Sequence, residues 1–344
     1  MAAVVMTDDG IAFDGDSLTA GPLGGAETAF ASLAQALAAR GHDVVVRNGC
    51  ISPMRRGGVS WAPLSEGVPD RCDLYIANRS DKLLLRAPHA SAAAFWIHNP
   101  ARYLLKARYL WKLAWRRMPI VFSGAHHAAT YPGWAPDGGR MIVPYGISEA
   151  FRNASPPDAP PPPRAVFTSN PQRGLDWLLD LWQRAIRPRC AGAELHLFSG
   201  AATYGAHGAA REGRMRAVLD RARGMADQGV VLREPVPKAQ LAAELAAARV
   251  LLYRGDVGET FCLAVGEAQA AGVPAVVQDI GCVAERVADG ETGYVAADDD
   301  VFADRAVSLL TDDALWRRMS AASVARQRGW GWNEAAAAFE ELMP

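Results

Sequence analysis

The sequence predicts an α/β protein made of two doubly wound, Rossmann-like domains that face each other across a cleft. Two observations carry this prediction. Both halves of the 344-residue chain alternate short apolar runs with helical stretches, and a proline-rich segment separates the halves. Short apolar strands between helices indicate parallel sheets covered on both faces. A chain of this length fits two domains of roughly 150 to 180 residues each.

The elements of both halves follow from the same pattern. An Ala/Leu-rich helix over 26–39 ends at Gly41 and leads into a strand, and helices over 175–185 and 238–248 lie between strands of the second half. A last helix is predicted over 333–343, after two tryptophans. The predicted strands are 44–46, 74–77, 93–97, 120–122 and 141–143 in the first half, and 165–167, 194–198, 230–232, 250–253 and 275–277 in the second.

The domain boundary is predicted at residues 156–163, where six of eight residues are proline. Such a run cannot be helical and has no place in a central strand, so it is expected to be a stiff, extended connector. The predicted division is therefore a first domain over 1–155, a linker over 156–163 and a second domain over 164–325. The remaining segment, 326–344, is expected to return as a helix toward the first domain.

Composition and charge narrow the class of protein. Half of the residues are hydrophobic and the formal net charge is −1, so no global field favours nucleic acid as a partner. The five cysteines form no C-x-x-C pair, which favours buried reduced thiols over a zinc site. The amino terminus lacks the basic leader of a secretory signal, and no apolar run reaches the roughly 20 residues that cross a bilayer. A cytoplasmic location is expected.

The densest signal for function lies in residues 255–295. A loop ends at Glu259, and a helix is predicted over 262–271, stopped by Gly272. Free backbone N–H groups at 261–263 can bind phosphate without a cationic side chain. Since a phosphate repels a carboxylate, Glu259 and Glu267 are interpreted as hydrogen-bond acceptors for hydroxyls, one of a sugar and one of a ribose. The alternative is a helix whose glutamates are solvated or complement its dipole.

The order Glu259, seven residues, Glu267, then 272-GVPAV-276 and 281-GCVAE-285 resembles family-four retaining glycosyltransferases of the GT-B fold. The resemblance implies that Glu259 contacts the donor sugar and Glu267 the nucleotide ribose. It also implies that the intervening segment, Thr260, Phe261, Cys262 and Leu263, lies against the diphosphate. Cys262 stands where the family commonly has glycine, which narrows the approach of the backbone to the pyrophosphate.

Further landmarks of the same family occur in the expected order. Gly24 and Gly25 open the first long helix, His98 follows a strand where the family has a histidine near the donor sugar, and 143-VPYGI-147 precedes the connector. One position departs from the pattern. The family offers an arginine and then a lysine after the first strand of the second domain, but here only Arg173 is cationic, preceded by the neutral Ser169 and Asn170. Arg173 is expected to clamp the diphosphate.

The resemblance implies an enzyme: a metal-independent glycosyltransferase that moves a sugar, with retention, from a nucleoside-diphosphate sugar to a glycan or lipid-linked hydroxyl. His98, Glu259 and Arg173 are the expected catalytic residues. The enzyme is expected to act in glycan, polysaccharide or glycolipid biosynthesis. The donor is a co-substrate, so no cofactor is expected. The acidic clusters 14–16 and 298–300 are interpreted as a solvated loop and a helix cap instead of metal sites. The alternative is a catalytically silent scaffold that binds nucleotide sugars.

Residues 102–118 predict an amphipathic helix with a Trp-containing apolar stripe, six basic residues and no acidic ones. Helices of this kind lie in the headgroup region of anionic membranes. The alternative, which the sequence leaves equally open, is an aromatic stripe that packs on the core of the first domain. The first alternative predicts peripheral contact with the inner face of the membrane.

Overall fold

The computed structural model describes residues 1–21, 23–200 and 205–344, the side chains of 205–212 excepted. The chain forms two compact units, each described here by itself. Unit 1 comprises residues 1–146 and 330–344, and unit 2 comprises residues 147–329. Both are built on a sheet in which almost every neighbouring pair of strands is parallel. The predicted α/β class with two doubly wound domains is confirmed.

Unit 1 contains an eight-stranded sheet in the order β3-β4-β2-β1-β5-β6-β7-β8. Only the edge pair β3–β4 is antiparallel. The strands are β1 Ala3–Thr7, β2 Asp43–Asn48, β3 Met54–Arg56, β4 Val59–Pro63, β5 Leu74–Asn78, β6 Ala92–Trp96, β7 Ile120–Phe122 and β8 Arg140–Ile142, and the helices are α1 Ser17–Ala20, α2 Gly25–Ala39, α3 Ala107–Arg116, α4 Ala125–Ala129 and, after unit 2, α12 Trp332–Glu340.

Unit 2 contains a six-stranded parallel sheet in the order β11-β10-β9-β12-β13-β14. Chain order reverses between β9 and β12, and ligands of doubly wound folds bind outside the carboxyl ends of strands at such a switch point. The strands are β9 Arg164–Phe167, β10 Glu194–Phe198, β11 Val230–Arg233, β12 Val250–Tyr253, β13 Ala275–Gln278 and β14 Gly293–Ala296, and the helices are α5 Glu149–Arg152, α6 Leu175–Leu181 with a π-helical turn Trp182–Ile186, α7 Gly205–Arg223, α8 Lys238–Ala246, α9 Leu263–Ala270, α10 Asp299–Thr311 and α11 Asp313–Gln327.

The predicted strands all exist, but the predicted domain boundary at 156–163 is wrong. The chain passes from unit 1 to unit 2 at Gly146 and back at Gly329. The physical reason is that Ile147 and Phe151 are buried in the core of unit 2, so this unit begins before the prolines. The proline-rich segment is instead the lead into β9, where the Pro161 carbonyl accepts a 2.6 Å hydrogen bond from Arg249. A stiff, extended run therefore lies along one unit and does not join two.

The carboxyl-terminal helix joins unit 1, as predicted. Arg40, at the end of α2, forms a 2.6 Å ion pair with Glu340, and His42 lies 2.8 Å from the same carboxylate. The Phe339 ring packs edge-on against Trp96, with centroids 5.2 Å apart. The segment that leads into α12 fits closely, since a Cβ on Gly146 would lie 2.3 Å from the backbone of Trp332. Polar and apolar contacts together fix α12 on α2.

Two further expectations concern the cysteines and membrane-spanning segments. The cysteines are buried free thiols, as their spacing predicted. Within the described residues, no helix combines the length and the apolar character that crossing a bilayer takes. Strands β1, β3, β4 and β14 were not predicted. The last three are short runs at or near a sheet edge with few consecutive apolar residues, whereas β1 is a central, buried strand whose short apolar run was considered only as a possible signal sequence.

We expect Glu340→Gln to lower the free energy of unfolding by about 1 kcal/mol at pH 7, the upper range for a partly exposed ion pair. The hydrogen bond from Arg40 lowers the pKa of Glu340 to about 2, from an ordinary value of 4.5. A carboxyl whose pKa is lower when folded stabilises the protein above its unfolded pKa and loses that effect as the pH falls toward 2. Urea unfolding should therefore show a smaller difference between wild type and variant at pH 3 than at pH 7. An unchanged difference would contradict this linkage.

Candidate functional site

Two loops of unit 2 meet at the carboxyl ends of neighbouring strands. Residues 168–174 follow β9 and residues 254–262 follow β12, and these strands pair in parallel, with Leu251 opposite Val166. Their ends therefore lie side by side at the switch point of the sheet. All of the predicted donor-binding residues of the second half lie in these loops or in the helix α9 that follows them.

The carboxylate of Glu259 is the centre of this site. Its side chain is 5% exposed, its Oε1 accepts a 2.7 Å hydrogen bond from Arg173, and its Oε2 accepts a 2.5 Å bond from the Tyr253 hydroxyl. Burial raises the pKa of Glu259, and the charge of Arg173 opposes that rise. The structure thus brings two predicted site residues together across 86 positions of sequence. Tyr253, which ends β12, was not predicted as a site residue because it reads as a buried strand residue.

Residues 260–263 form the passage from this loop into α9. Thr260, Phe261 and Cys262 are buried, and Leu263 is the first residue of the helix. Cys262, the residue that precedes the helix, has left-handed backbone angles (φ 61°, ψ 74°) and makes no side-chain capping bond to it. This conformation explains why a glycine is common at the position, because only glycine adopts it without steric strain. The uncapped N–H groups at the start of α9 can bind an anion.

Glu267 lies in the second turn of α9, also 5% exposed as a residue, and has a cationic partner. Lys238, the first residue of α8, places its Nζ 2.5 Å from Oε1 of Glu267. The same ammonium group lies 5.6 Å from the centroid of the Phe151 ring. Lys238 was not predicted as a site residue, since nothing in sequence spacing connects it with a glutamate 29 positions away. The helix buries this carboxylate and an ammonium group neutralises it.

Ser169 and Asn170 shape the loop that carries Arg173. The Asn170 side chain accepts a 2.9 Å hydrogen bond from the Gln172 N–H, and its backbone carbonyl accepts one from the Arg173 N–H. The Ser169 carbonyl accepts a 2.6 Å bond from Ser199, at the end of β10. These bonds hold the loop as a turn. The structure therefore gives both residues a local role, and their contact with a donor stays a prediction.

The predicted residues of the first half lie in unit 1, around the switch point of its own sheet. Gly24 precedes α2 and Gly25 begins it, and a Cβ on Gly24 would lie 2.3 Å from Oε2 of Glu27. Glu27 and the fully buried Asp8 both pair at 2.9 Å with Arg79. A larger residue at position 24 would have to displace the end of the Glu27 side chain.

His98 lies just after β6, 7% exposed, between two polar partners. Its Nε2 is 2.6 Å from the Asn78 side-chain oxygen, and its Nδ1 is 2.5 Å from the Tyr145 hydroxyl. These partners fit a neutral ring that donates to Asn78 and accepts from Tyr145. Burial, aided by the charge of Arg79, holds the pKa of His98 well below its usual value. The ring is thus fixed in orientation, and its predicted contact with a donor sugar stays a prediction.

The acidic clusters form local hydrogen bonds. Asp14 accepts hydrogen bonds from the backbone and hydroxyl of Ser17, and Asp16 pairs at 2.9 Å with Arg56. Asp298 caps α10, because its side chain accepts a bond from the Val301 N–H. The cap at Asp298 is confirmed, and the interpretation that neither cluster binds a metal stays a prediction. In the part of the chain that the structure describes, no group of three or more His, Cys, Asp or Glu side chains is placed to hold a metal ion.

The predicted continuous helix over 102–118 is wrong. A 3₁₀ turn over Ala101–Leu105 is separated from α3 by the extended residue Lys106. Tyr109 and Leu113 of α3 are buried, whereas Trp111 and Trp115 are 53% and 81% exposed. Residues two apart lie on opposite sides of a helix, so α3 has an inner apolar face and a separate outer pair of tryptophans. The face with Tyr109 and Leu113 packs on the core, as one alternative predicted. The face with Trp111 and Trp115 is the one on which the other alternative, contact with a membrane, depends.

Comparison with known proteins agrees with this fold. Sucrose-phosphate synthase from Thermosynechococcus elongatus superposes with a TM-score of 0.76 at 17% identity, covering 99% of this chain and 98% of that one. Anabaena HepE in complex with UDP-glucose superposes with a TM-score of 0.69 at 13% identity, covering 99% and 100%. A D-inositol 3-phosphate glycosyltransferase of Streptomyces avermitilis is 38% identical over 121 residues, which are 35% of this chain and 26% of the relative.

The two doubly wound units have the GT-B type of fold, as the superposed structures do. Residues 162–312 match the model of the Glycosyl transferases group 1 family. The resemblance stated from the sequence is confirmed. The match spans about a quarter of the curated relative's length, 26%.

The left-handed conformation of Cys262 has a measurable consequence. For a residue with a Cβ this conformation costs roughly 1–2 kcal/mol. Cys262→Gly should therefore be more stable than Cys262→Ala by about 1 kcal/mol, because both lose the sulfur and only glycine relieves the strain. At Ala264, inside α9, the order should be the usual one, with glycine less stable than alanine by about 1 kcal/mol. Urea unfolding measures both pairs, and the same order at both positions would contradict the strain.

Proposed function

We propose that this protein is a glycosyltransferase that transfers a sugar, with retention, from a nucleoside-diphosphate sugar to a hydroxyl of a glycan or lipid-linked acceptor. The single observation that carries the proposal is the buried Glu259 carboxylate, which is bound by Arg173 and stands directly before the uncapped start of α9. The HepE structure, which was solved with UDP-glucose, supports a nucleotide-sugar donor. The name of the Streptomyces relative, a glycosyltransferase that acts on inositol 3-phosphate, supports a hydroxyl acceptor.

In this proposal each group acts on a defined part of the donor. Arg173 and the N–H groups of 261–263 bind the diphosphate and stabilise the charge that develops on it when the glycosidic bond breaks. Glu259 accepts hydrogen bonds from hydroxyls of the donor sugar, and its ionised form is favoured by Arg173 and Tyr253. Glu267 accepts bonds from the ribose, while Lys238 pairs with that buried carboxylate. Since cationic side chains and a helix N-terminus meet the phosphate charge, the proposed reaction is independent of metal.

The second candidate is a catalytically silent protein that binds nucleotide sugars. It is favoured by the missing first arginine after β9 and by Cys262 at a position where glycine is common. A donor hydrolysis assay separates the two candidates. An enzyme with this site slowly releases nucleoside diphosphate from its donor in the absence of acceptor, whereas a silent scaffold binds the donor and releases none.

We expect Arg173→Ala and Glu259→Ala to lower the rate of glycosyl transfer by roughly 10²–10³-fold, while each protein stays folded. Release of nucleoside diphosphate measures the rate, once a screen of nucleotide sugars has identified the donor. Arg173→Lys is the graded control, because it keeps the charge and loses the two-pronged geometry of the guanidinium. Activity near that of wild type in either alanine variant would remove that residue from the mechanism.

Tyr253→Phe serves as a second control with a different readout. The variant keeps the ring that is buried in unit 2 and loses only the hydroxyl that donates to Glu259. The hydrogen bond from Tyr253 lowers the pKa of Glu259, so its loss raises that pKa further. The acid limb of the pH–rate profile should therefore move to higher pH, a change that a purely structural role of Tyr253 would not produce.

We also propose that the protein is cytoplasmic and touches the inner face of an anionic membrane through α3. Trp111 and Trp115 are exposed one helical turn apart, and Arg108 and Arg117 are exposed on the same helix and at its end. Asp81, a carboxylate that contacts the helix, is already paired with Arg108 and Lys112. Exposed tryptophans beside basic residues suit the headgroup region of a bilayer.

Flotation with vesicles of anionic phospholipid tests this surface. Wild type should float at low salt and sink as salt rises, and the double variant Trp111→Ala, Trp115→Ala should not float. Ile51→Ser is the matched control, since Ile51 is 94% exposed between β2 and β3, strands that lie away from α3 in the order of the sheet. The membrane proposal fails if wild type stays unbound at low salt, or if the double variant floats as well as wild type.

A further inference from the structure

The loop after β9 offers a diphosphate a single cationic side chain. Arg173 is the only cationic residue between β9 and α6, and its guanidinium is already neutralised by Glu259 at 2.7 Å. A diphosphate that arrives at this pair meets no net positive charge from side chains. If the proposed donor binds here, a further cation has to be present at the same edge of the sheet.

Arg254 stands at that edge. It directly follows β12, which is the neighbour of β9 in the sheet. Its side chain runs along the residue after Arg173, because a Cβ built on Gly174 would lie 3.2 Å from Cβ of Arg254 and 3.6 Å from its Cδ. Gly174 also has a positive φ of 82°. Glycine at this position thus allows the two arginine-bearing loops to approach each other.

The guanidinium of Arg254 is held in place without a carboxylate. Its Nε donates a 3.1 Å hydrogen bond to Gln278, and its Cζ lies 5.1 Å from the ring centroid of Trp177. Trp177 is itself fixed by a 3.0 Å bond to Asp299. Among the described residues, no Asp or Glu lies within ion-pair distance of Arg254. A guanidinium that is stacked and oriented but not neutralised is suited to binding an anion.

A cavity of about 560 Å³ lies beside this group. Its wall includes Gln172, Gly174, Arg214 and Arg254, and also the carboxylates of Asp176 and Asp256. Both carboxylates are engaged elsewhere. Asp176 pairs at 2.6 Å with Arg221, and Asp256 accepts a 2.8 Å hydrogen bond from the Gly258 N–H. Asp176 is thus paired with a cation, whereas the bond from a neutral N–H leaves the charge of Asp256 in place. Among the described residues of the wall, the two arginines carry the positive charge and outnumber this one unpaired carboxylate.

We propose that this cavity is a phosphate subsite and that Arg254, with Arg214 at its rim, supplies the cationic charge that the loop after β9 lacks. The ligand is the diphosphate of the nucleotide-sugar donor, so the inference rests on the proposed function. Arg254 then binds one phosphate oxygen pair through its two Nη groups, while Arg173 and the start of α9 bind the rest. In this proposal the second cation follows β12 instead of β9, the neighbouring strand.

Inorganic pyrophosphate is the probe, because it carries the diphosphate without a base or a sugar. In calorimetric titrations we expect Arg254→Ala to weaken pyrophosphate binding by roughly 10- to 100-fold, the effect of losing a charge-assisted bidentate bond. Arg254→Lys should be intermediate. Arg189→Ala is the matched control. Arg189 pairs with the exposed Asp304 and precedes β10, so it lies at the amino ends of the strands, whereas Arg254 lies at their carboxyl ends. The control should bind like wild type.

The outcomes separate the two proposals. If Arg173→Ala weakens pyrophosphate binding and Arg254→Ala does not, the role of Arg254 is wrong and the donor site stands. If wild type binds neither pyrophosphate nor any nucleoside diphosphate, the proposed function fails first. If Arg254→Ala weakens the binding of inorganic phosphate but leaves the affinity for nucleoside diphosphates unchanged, the cavity binds another phosphorylated ligand. The assignment of the cavity to the donor is then overturned. The inference is supported if Arg254→Ala weakens the binding of pyrophosphate and of nucleoside diphosphate equally and leaves the affinity for the unphosphorylated nucleoside unchanged.

Discussion

The burial of the Glu259 carboxylate is the constraint on which the organisation of unit 2 depends. An ionised carboxylate at 5% exposure is stable only if charge and hydrogen bonds compensate for the lost water. Arg173 comes from the loop after β9 and Tyr253 from the end of β12, so this compensation requires both strand ends to be side by side. The same requirement places the start of α9 next to Arg173. The parallel pairing of β9 with β12 thus serves the site as well as the sheet.

Glu267, in the second turn of α9, is a second buried carboxylate that is paired with a cation. Its cation comes from α8, the helix that precedes β12, and the pair is 2.5 Å apart. Two buried carboxylates, one in the loop before α9 and one within the helix, are thus each paired with a cation from a different element. A polar network of this kind makes the fold sensitive to single changes, because removal of either cation leaves a buried charge unpaired.

The sequence predicted the fold class and ten of the fourteen described strands, because apolar runs are local patterns, and a family resemblance singled out Glu259 and Glu267. Apolar runs such as 250–253 and the glutamate spacing 259 to 267 are visible in one dimension. It did not predict Tyr253, Lys238 or Arg254, whose roles arise from strand order and from contacts with distant loops. The boundary at 156–163 was wrong for a related reason. A proline-rich composition indicates a stiff segment but does not show where a domain begins. Unit 2 begins before the prolines because Phe151 is buried in its core, which depends on tertiary packing.

The return of α12 to unit 1 has a consequence for synthesis. Unit 2 is a continuous segment, residues 147–329, whereas unit 1 is closed only by residues 330–344. On the ribosome, unit 2 therefore has its whole sequence available before unit 1 does. The apolar surfaces of α2 and β6 that Phe339 and its neighbours cover stay open until the last segment emerges. The protein is in this sense one domain inserted into another, and the outer domain is the last to be completed.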